Sequence, residues 1–182
     1  MTKKIGILVG SLREKSFNKR VANKLIEMMP EGYEAELIKY DYLPFYREEY
    51  DFEEPAEYKE FRDEIKKYDG FIFQIPEYNR SYPGALKNAI DVASRPYGKN
   101  LWLNKPGAVF SASAGAMGGF GAANHLNQVL IGLGMPLLAD PGVYIGSVMK
   151  AFEKDGSLVE STAKFLQMAV NSFIDHLERN AR

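Results

Sequence analysis

The 182-residue sequence contains no cysteine, which excludes disulfide bonds, thiolate nucleophiles and cysteine-ligated zinc or iron–sulfur sites. It also has no excess of charge of one sign, because 23 basic side chains stand against 24 acidic ones. This balance gives no indication of a nucleic-acid or anionic-membrane partner. Its two histidines, His125 and His176, lack the spacing of metal ligands. The length and the 46% hydrophobic content predict one globular domain, residues 1–182.

Residues 106–139 contain no Asp, Glu, Lys or Arg, and this stretch is longer than the roughly 20 apolar residues that span a bilayer. It includes two prolines, several glycines and four polar amide or imidazole side chains, so it predicts a strand, a loop, a helix and a second loop. The N-terminal apolar run, residues 5–10, is too short for a signal peptide and is better explained as a buried strand. We therefore expect a cytoplasmic protein without a membrane segment.

Apolar blocks alternate with amphipathic helical blocks along the whole chain, a pattern typical of an α/β fold with a parallel sheet covered on both faces. The predicted strands are residues 4–9, 34–38, 70–75, 107–111 and 143–145. The predicted helices are residues 18–29, a segment within 48–67, and residues 84–94, 121–133 and 158–177. Ligands of such doubly wound sheets bind at the carboxyl ends of the strands, so the loops after strands one, three and four are the candidate site.

The loop after the first strand offers hydroxyl, guanidinium and amide groups beside the start of a helix, through Ser11, Arg13, Ser16 and Asn18. These groups predict an anion site, and a terminal phosphate fits them best. The glycine patterns of dinucleotide sites and P-loops are absent from this loop. The alternative is that Ser16 or Asn18 only caps the helix while Arg13 is solvated.

The loop after the third strand, residues 76–84, has two prolines and a glycine, which predict a rigid backbone suited to in-plane hydrogen bonds with a planar heterocycle. Its Glu77 and Asn79 can equally be ordinary turn residues. The loop after the fourth strand, residues 111–121, has four glycines that let the backbone approach a flat ligand, to which Ser113 can donate. The alternative for this loop is simple flexibility.

Taken together, these loops resemble the NADPH-dependent FMN reductase family, whose members include quinone, azo and chromate reductases. The resemblance rests on Gly10-Ser11-Leu12-Arg13 with Ser16-Phe17-Asn18, on Pro76-Glu77-Tyr78-Asn79 with Ser81, Pro83 and Gly84, on the run Leu86-Lys87-Asn88-Ala89-Ile90-Asp91, and on the loop 113–119. It covers nearly the whole chain. One departure is Val92-Ala93, where the family often has a tryptophan, and this puts in doubt the local packing near a dimer partner.

The resemblance implies a flavodoxin-like, three-layer doubly wound fold with strand order 2-1-3-4-5. It implies that Ser11, Arg13, Ser16, Phe17 and Asn18 hold the FMN phosphate and ribityl chain. It implies that Pro76, Glu77, Tyr78 and Asn79 line the isoalloxazine edge, mainly through backbone atoms, and that Ser113 and Gly115 close the other side.

The same resemblance implies an enzyme with no acid–base dyad of its own. NADPH or NADH delivers hydride to FMN, which passes electrons to a quinone, azo, metal-oxyanion or flavin acceptor. Because two nucleotides do not fit one shallow site together, we expect ping-pong kinetics, and the family implies a homodimer or homotetramer.

Two other functions remain open from the sequence. The first is a non-enzymatic, flavodoxin-like electron carrier, although such carriers tend to be strongly acidic and this chain has a net charge of -1. The second is a flavin-free regulator that binds a phosphoester.

Overall fold

The computed structural model describes residues 2–180 and contains, in this part of the chain, five strands that alternate with five α-helices. The strands are β1 (Lys3–Val9), β2 (Tyr33–Leu37), β3 (Gly70–Ile75), β4 (Gly107–Ala112) and β5 (Val143–Ile145). The helices are α1 (Phe17–Glu27), α2 (Ala56–Ile65), α3 (Gly84–Ser94), α4 (Phe120–Gly132) and α5 (Glu160–Asn180). Two short 3₁₀ helices cover Glu48–Asp51 and Val148–Ala151.

The five strands form one parallel sheet in the order β2-β1-β3-β4-β5, which confirms the predicted fold. Strand β1 lies between β2 and β3, so that Ile5 pairs with Ala35 on one side and with Gly70 on the other. The connections from β1 and β3 leave in opposite directions along the sheet, which opens a crevice at the carboxyl ends of these strands. The first, third and fourth loops meet at this edge.

Two hydrophobic cores lie on opposite faces of the sheet and make three layers. Every residue of β3 and β4 is buried, as expected for central strands covered on both faces. One core packs helices α2, α3 and α4 against the sheet, and its largest members are Phe61, Tyr68, Phe71, Phe73 and Trp102. The other core packs α1 and α5, and includes Ile5, Leu25, Ile72, Phe110 and Phe173.

Trp102, the only tryptophan of the chain, is completely buried in the first of these cores. Its ring centroid lies 5.0 Å from that of Phe71 and 5.7 Å from that of Phe73, and its Nε1 donates a hydrogen bond to the Ile90 carbonyl at 2.9 Å. The departure from the family pattern at residues 92–93 is buried in the same core, so these small residues pack inside the subunit.

Some element bounds differ from the prediction for local reasons. Pro55 directly precedes α2, so the segment predicted within 48–67 divides into a 3₁₀ helix and a separate α-helix. Helix α5 begins at Glu160, after the position predicted, because Leu158 pairs with Phe152 in an isolated β-bridge. The uncharged stretch 106–139 contains β4 and α4, and no helix within residues 2–180 has the length and apolarity to cross a membrane.

Candidate functional site

Three loops converge at the carboxyl edge of the sheet: the first loop (residues 10–16), the third loop (76–83) and the fourth loop (113–119). The hydroxyl oxygens of Ser11 and Tyr78 lie 3.4 Å apart and join the first loop to the third. The Glu77 carboxylate accepts a hydrogen bond from the backbone N–H of Ala122, in the first turn of α4, at 3.1 Å. The structure thus brings the three predicted loops together in one place.

The first loop ends in the N-terminus of α1, where Ser16 is the N-cap and its Oγ accepts a hydrogen bond from the N–H of Lys19 at 3.4 Å. The sequence left open that Ser16 caps the helix, and the structure shows that it does. The cap leaves the hydroxyl hydrogen of Ser16 available to donate. The N–H groups of Phe17 and Asn18 have no partner within the helix, because an α-helix leaves its first donors unsatisfied. This helix end therefore presents several donors to an anion.

Arg13 is exposed and its guanidinium lies over the start of α1. Its Nη2 donates to the carbonyl of Lys15 at 2.9 Å, and its Cζ lies 6.0 Å from the centroid of the Phe17 ring. This contact uses one of the five guanidinium N–H donors, so the group retains donors for an oxyanion. Arg13 thus adds positive charge to the donors of the helix N-terminus.

Asn18 is buried, and its side chain is bound by protein at both ends. Its Nδ2 donates to the carbonyl of Ala112 at the end of β4 (3.1 Å), and its Oδ1 accepts from Nε2 of Gln74 at 2.8 Å. Gln74 is not among the site residues predicted from the sequence. The available signal was one amide side chain within the otherwise apolar strand 70–75.

The third loop is a tight hairpin held by two backbone hydrogen bonds between Tyr78 and Ser81, of 2.8 and 3.0 Å. At its tip Asn79 and Arg80 have φ angles of +51° and +68°, the left-handed conformation of a type I′ turn, which non-glycine residues rarely adopt. Pro76 is buried, whereas Tyr78 and Asn79 are exposed. The turn, its two hydrogen bonds and the flanking prolines together restrict the backbone of this loop.

The carboxylate of Glu77 points to α4, so it is the backbone of this residue that can contact a ligand. The cap residue of α4, Gly119, has no side chain to satisfy the first N–H groups of the helix, and the Glu77 carboxylate supplies an acceptor there instead. A Cβ atom on Gly121 would lie 3.0 Å from Oε2 of Glu77, so a glycine at this position makes room for the carboxylate.

The fourth loop is bound along its length to the segment that follows β5. Ser113 donates its N–H to the Ile145 carbonyl and accepts from the N–H of Val148, both at 3.0 Å, and the Gly115 carbonyl accepts from the N–H of Ser147 at 3.1 Å. These bonds argue against the alternative of simple flexibility. The Ser113 hydroxyl donates to Gly115 within the loop at 3.2 Å, and a Cβ atom on Gly115 would meet only this hydroxyl oxygen within 4 Å. The loop is therefore a fixed, open wall.

The two histidines lie outside the three loops. His125 Nδ1 is 2.9 Å from the Ser81 hydroxyl, and the His125 and Tyr82 rings stack edge to face. His176 Nε2 is 2.9 Å from the Pro136 carbonyl oxygen. Both histidines therefore make hydrogen bonds or ring contacts within the protein.

Comparison with known proteins bears directly on this site. Residues 3–150 match the family model described as NADPH-dependent FMN reductase. The chain belongs to this family. It is 45% identical over 177 residues to a quinone reductase of Pseudomonas putida KT2440, covering 97% of this chain and 95% of that protein. It is 39% identical over 174 residues to a 2-hydroxy-1,4-benzoquinone reductase of a Burkholderia species, covering 95% of both.

Among solved structures, the FMN reductase fold seen here superposes on FerB, a flavoenzyme NAD(P)H:(acceptor) oxidoreductase from Paracoccus denitrificans, with a TM-score of 0.92. The two chains are 38% identical, and the match covers 99% of this chain and 100% of FerB. These findings confirm the predicted class of protein, an FMN-dependent NAD(P)H oxidoreductase of flavodoxin-like fold.

The residues of the site fit FMN. The phosphomonoester of FMN needs several hydroxyl and N–H donors with a positive charge nearby, which the first loop and the start of α1 provide. The flat ring needs a backbone wall without side chains, which the Gly115 region of the fourth loop provides.

Proposed function

We propose that this protein is a quinone reductase that transfers hydride from NADPH or NADH through bound FMN to small quinones, with azo, metal-oxyanion and flavin compounds as further acceptors. The relatives from Pseudomonas putida and Burkholderia are quinone reductases, which supports a quinone as the acceptor. The structural observation that carries the proposal is the convergence of the first, third and fourth loops, with donors for a phosphate at one end and an open glycine wall at the other.

In this proposal the first loop binds the phosphate and ribityl chain. Ser11 and Ser16 donate through their hydroxyl groups and Arg13 through its guanidinium, while Phe17 and Asn18 donate through their backbone N–H groups. The partial positive charge of the α1 N-terminus adds to the attraction of the phosphate. The anchored phosphate fixes the position of the ring system relative to the other two loops.

The third and fourth loops orient the ring. Backbone atoms of Pro76, Glu77, Tyr78 and Asn79 follow its edge, and Ser113 with Gly115 closes the other side. FMN supplies the hydride chemistry when bound, and the protein supplies position and electrostatics. N–H groups fixed in these loops favour negative charge on the ring, because dipoles that are already in place need no reorganisation during the reaction.

Exposed apolar side chains on the three loops and at the start of α4 favour a flat, apolar acceptor. Leu12, Tyr78, Met117 and Phe120 are 55%, 49%, 67% and 45% exposed. Such side chains contact quinone-sized rings without demanding specific hydrogen bonds. One open face serves the nicotinamide and the acceptor in turn, which is the structural basis for the proposed ping-pong mechanism.

We also propose that residues 1–182 act as one FMN-binding domain and that the chain forms a homodimer or homotetramer in the cytoplasm. Helix α4 carries exposed apolar side chains at both ends, Phe120 and Ile131. Exposed apolar side chains on one helix are typical of a surface that another subunit covers. Light scattering coupled to size exclusion tests the proposed oligomer directly.

The test of function is an anaerobic titration of the purified protein. We expect a yellow protein that NADPH or NADH bleaches without any partner protein, and that a benzoquinone restores to the oxidised spectrum. Initial rates at several quinone concentrations should give parallel double-reciprocal lines, whereas intersecting lines would contradict the ping-pong mechanism. A yellow protein that neither nicotinamide bleaches would favour the electron carrier, and a colourless protein without FMN affinity would favour the phosphoester-binding regulator.

A further inference from the structure

Gln74 is an amide side chain in the interior of the sheet. It lies on central strand β3 and is completely buried, one residue before the strand ends. Because side chains alternate along a strand, Gln74 shares a face with Ile72, which packs in the core formed with α1 and α5. It therefore lies between the sheet and the helix whose N-terminus carries the phosphate donors.

The hydrogen bonds of Gln74 lead directly to that helix. Its Nε2 donates to Oδ1 of Asn18 at 2.8 Å, and Nδ2 of Asn18 donates to the Ala112 carbonyl at 3.1 Å. Asn18 is the second residue of α1. The Asn18 side chain thus connects the first turn of α1 to the carboxyl ends of both β3 and β4.

The other end of the Gln74 amide has no such bond. Within residues 2–180, its Oε1 is the one buried side-chain nitrogen or oxygen without a hydrogen-bond partner in the protein. A buried acceptor left in this way is unfavourable for folding, and a methionine of similar shape would avoid it. Packing alone therefore does not explain an amide side chain at this position. What distinguishes the amide from an apolar side chain of the same size is the hydrogen bond that its Nε2 donates to Asn18.

We propose that Gln74 is a positioning residue for the FMN phosphate and acts through Asn18. This inference rests on the proposed binding of the phosphate at the first loop. Gln74 fixes the side chain of Asn18, and with it the position of the first turn of α1 relative to β3 and β4. The N–H groups of Phe17 and Asn18 then point at the phosphate before it arrives, so less ordering is needed on binding.

The test compares FMN with riboflavin, which has the same ring and ribityl chain without the phosphate. Apoprotein of the wild type and of Gln74→Met is titrated with each compound, following the quenching of flavin fluorescence. We expect Gln74→Met to raise the Kd for FMN by about tenfold, the effect of one lost hydrogen bond, and to leave the Kd for riboflavin within about twofold. A purely structural role of Gln74 would change both constants together or neither.

Two further variants complete the experiment. Ile72→Val, on the same strand and face, removes a buried methylene and should lower thermal stability while leaving both dissociation constants unchanged. In an Asn18→Ala background, Gln74→Met should have little further effect on FMN binding, because a residue that acts through Asn18 has nothing left to position. If Gln74→Met does not fold, Gln74→Asn keeps the amide but withdraws it by one methylene, and the same selective loss of FMN affinity is expected.

The outcomes separate this inference from the proposed function. Equal ratios of FMN to riboflavin affinity in wild type and Gln74→Met would overturn the inference, as would full additivity with Asn18→Ala. A wild-type protein that binds riboflavin as tightly as FMN, or binds neither, would instead overturn the phosphate site itself.

Discussion

The carboxylate of Glu77, in the loop after β3, accepts a hydrogen bond from the backbone N–H of Ala122, in the first turn of α4, at 3.1 Å. This bond couples the loop proposed to follow the flavin edge to the first turn of the helix that begins where the glycine-rich wall ends. Helix α4 has no side-chain cap of its own, so Glu77 serves as its cap from a distant part of the chain.

Replacement of Glu77 by alanine should therefore weaken both the fold and the site. We expect Glu77→Ala to lose about 1 kcal/mol of unfolding free energy, as for other lost N-caps, and to bind FMN less tightly. Urea unfolding and FMN titration measure the two effects. Glu77→Gln keeps an acceptor oxygen without the charge and should fall between wild type and alanine; an alanine variant as stable as wild type would show that the bond contributes nothing.

Arg13 should contribute to FMN binding through the phosphate alone. We expect Arg13→Ala to raise the Kd for FMN by roughly ten- to a hundredfold, the range for a charge-assisted hydrogen bond, with little change for riboflavin. Arg13→Lys keeps the charge but loses the planar fork and should recover only part of the affinity. The matched control is Arg47→Ala, another exposed arginine outside the three loops. Loss of riboflavin affinity in Arg13→Ala would contradict the assignment.

Arg62 should matter for stability because its guanidinium is buried and satisfies several carbonyl groups. It donates to the carbonyls of Val92, Ala93 and Lys99 and lies 3.2 Å from Glu54, while burial lowers its pKa. We expect Arg62→Met to lose about 3 kcal/mol of unfolding free energy, because these partners lose their donor.

The control for Arg62 is Lys66, an exposed cation that directly follows α2. Lys66 forms an exposed ion pair with Asp63 at 2.8 Å, and Lys66→Met should change stability by less than about 1 kcal/mol. Denaturant unfolding compares both variants with wild type. If the Arg62→Met protein were as stable as the Lys66→Met protein, this result would contradict the structural role assigned to Arg62.

We predict that the protein loses stability at alkaline pH because of the buried hydroxyl of Tyr58. Burial raises the pKa of its hydroxyl from 10.0 to about 12, and that hydroxyl donates to the Pro44 carbonyl at 3.3 Å. Between these pH values the unfolded chain releases a proton that the folded protein retains, so stability falls as pH rises. The stabilisation that depends on this shift is fully present below pH 10 and is lost towards pH 12.

The Tyr58→Phe variant tests this pH dependence. Its unfolding free energy should fall less steeply than that of wild type across the same pH range, measured by denaturant unfolding at fixed ionic strength. Tyr97→Phe is the control, since that side chain is 92% exposed. Identical slopes for wild type and Tyr58→Phe would be the contrary result.

The parallel sheet and the location of the site follow from local sequence patterns. Buried strands such as residues 70–75 have near-continuous apolar runs, and the doubly wound arrangement places the loops after β1, β3 and β4 at one edge. The recognisable segments 76–79 and 10–13 then indicate the cofactor. Each of these signals lies within a few adjacent residues, which is why a single sequence is sufficient to read them.

The interactions that shape the site are harder to predict from the sequence, because each joins residues that are distant along the chain. The glycine-rich loop 113–119 reads equally well as flexible, and only its bonds to Ile145, Ser147 and Val148 make it a fixed wall. Glu77 and Gln74 likewise have partners 45 and 56 residues away, respectively. The left-handed turn at Asn79 and Arg80 could not be predicted for another reason: non-glycine residues rarely adopt that conformation.

The sole tryptophan gives this protein an internal optical reporter. Because Trp102 is packed against Phe71 and Phe73 in the core beneath α3, its emission is assigned without ambiguity to one face of the sheet. Indole emission overlaps flavin absorption, so energy transfer between them should report occupancy of the site in the same sample. Loss of flavin and opening of this core can therefore be followed as two separate signals during a single unfolding experiment.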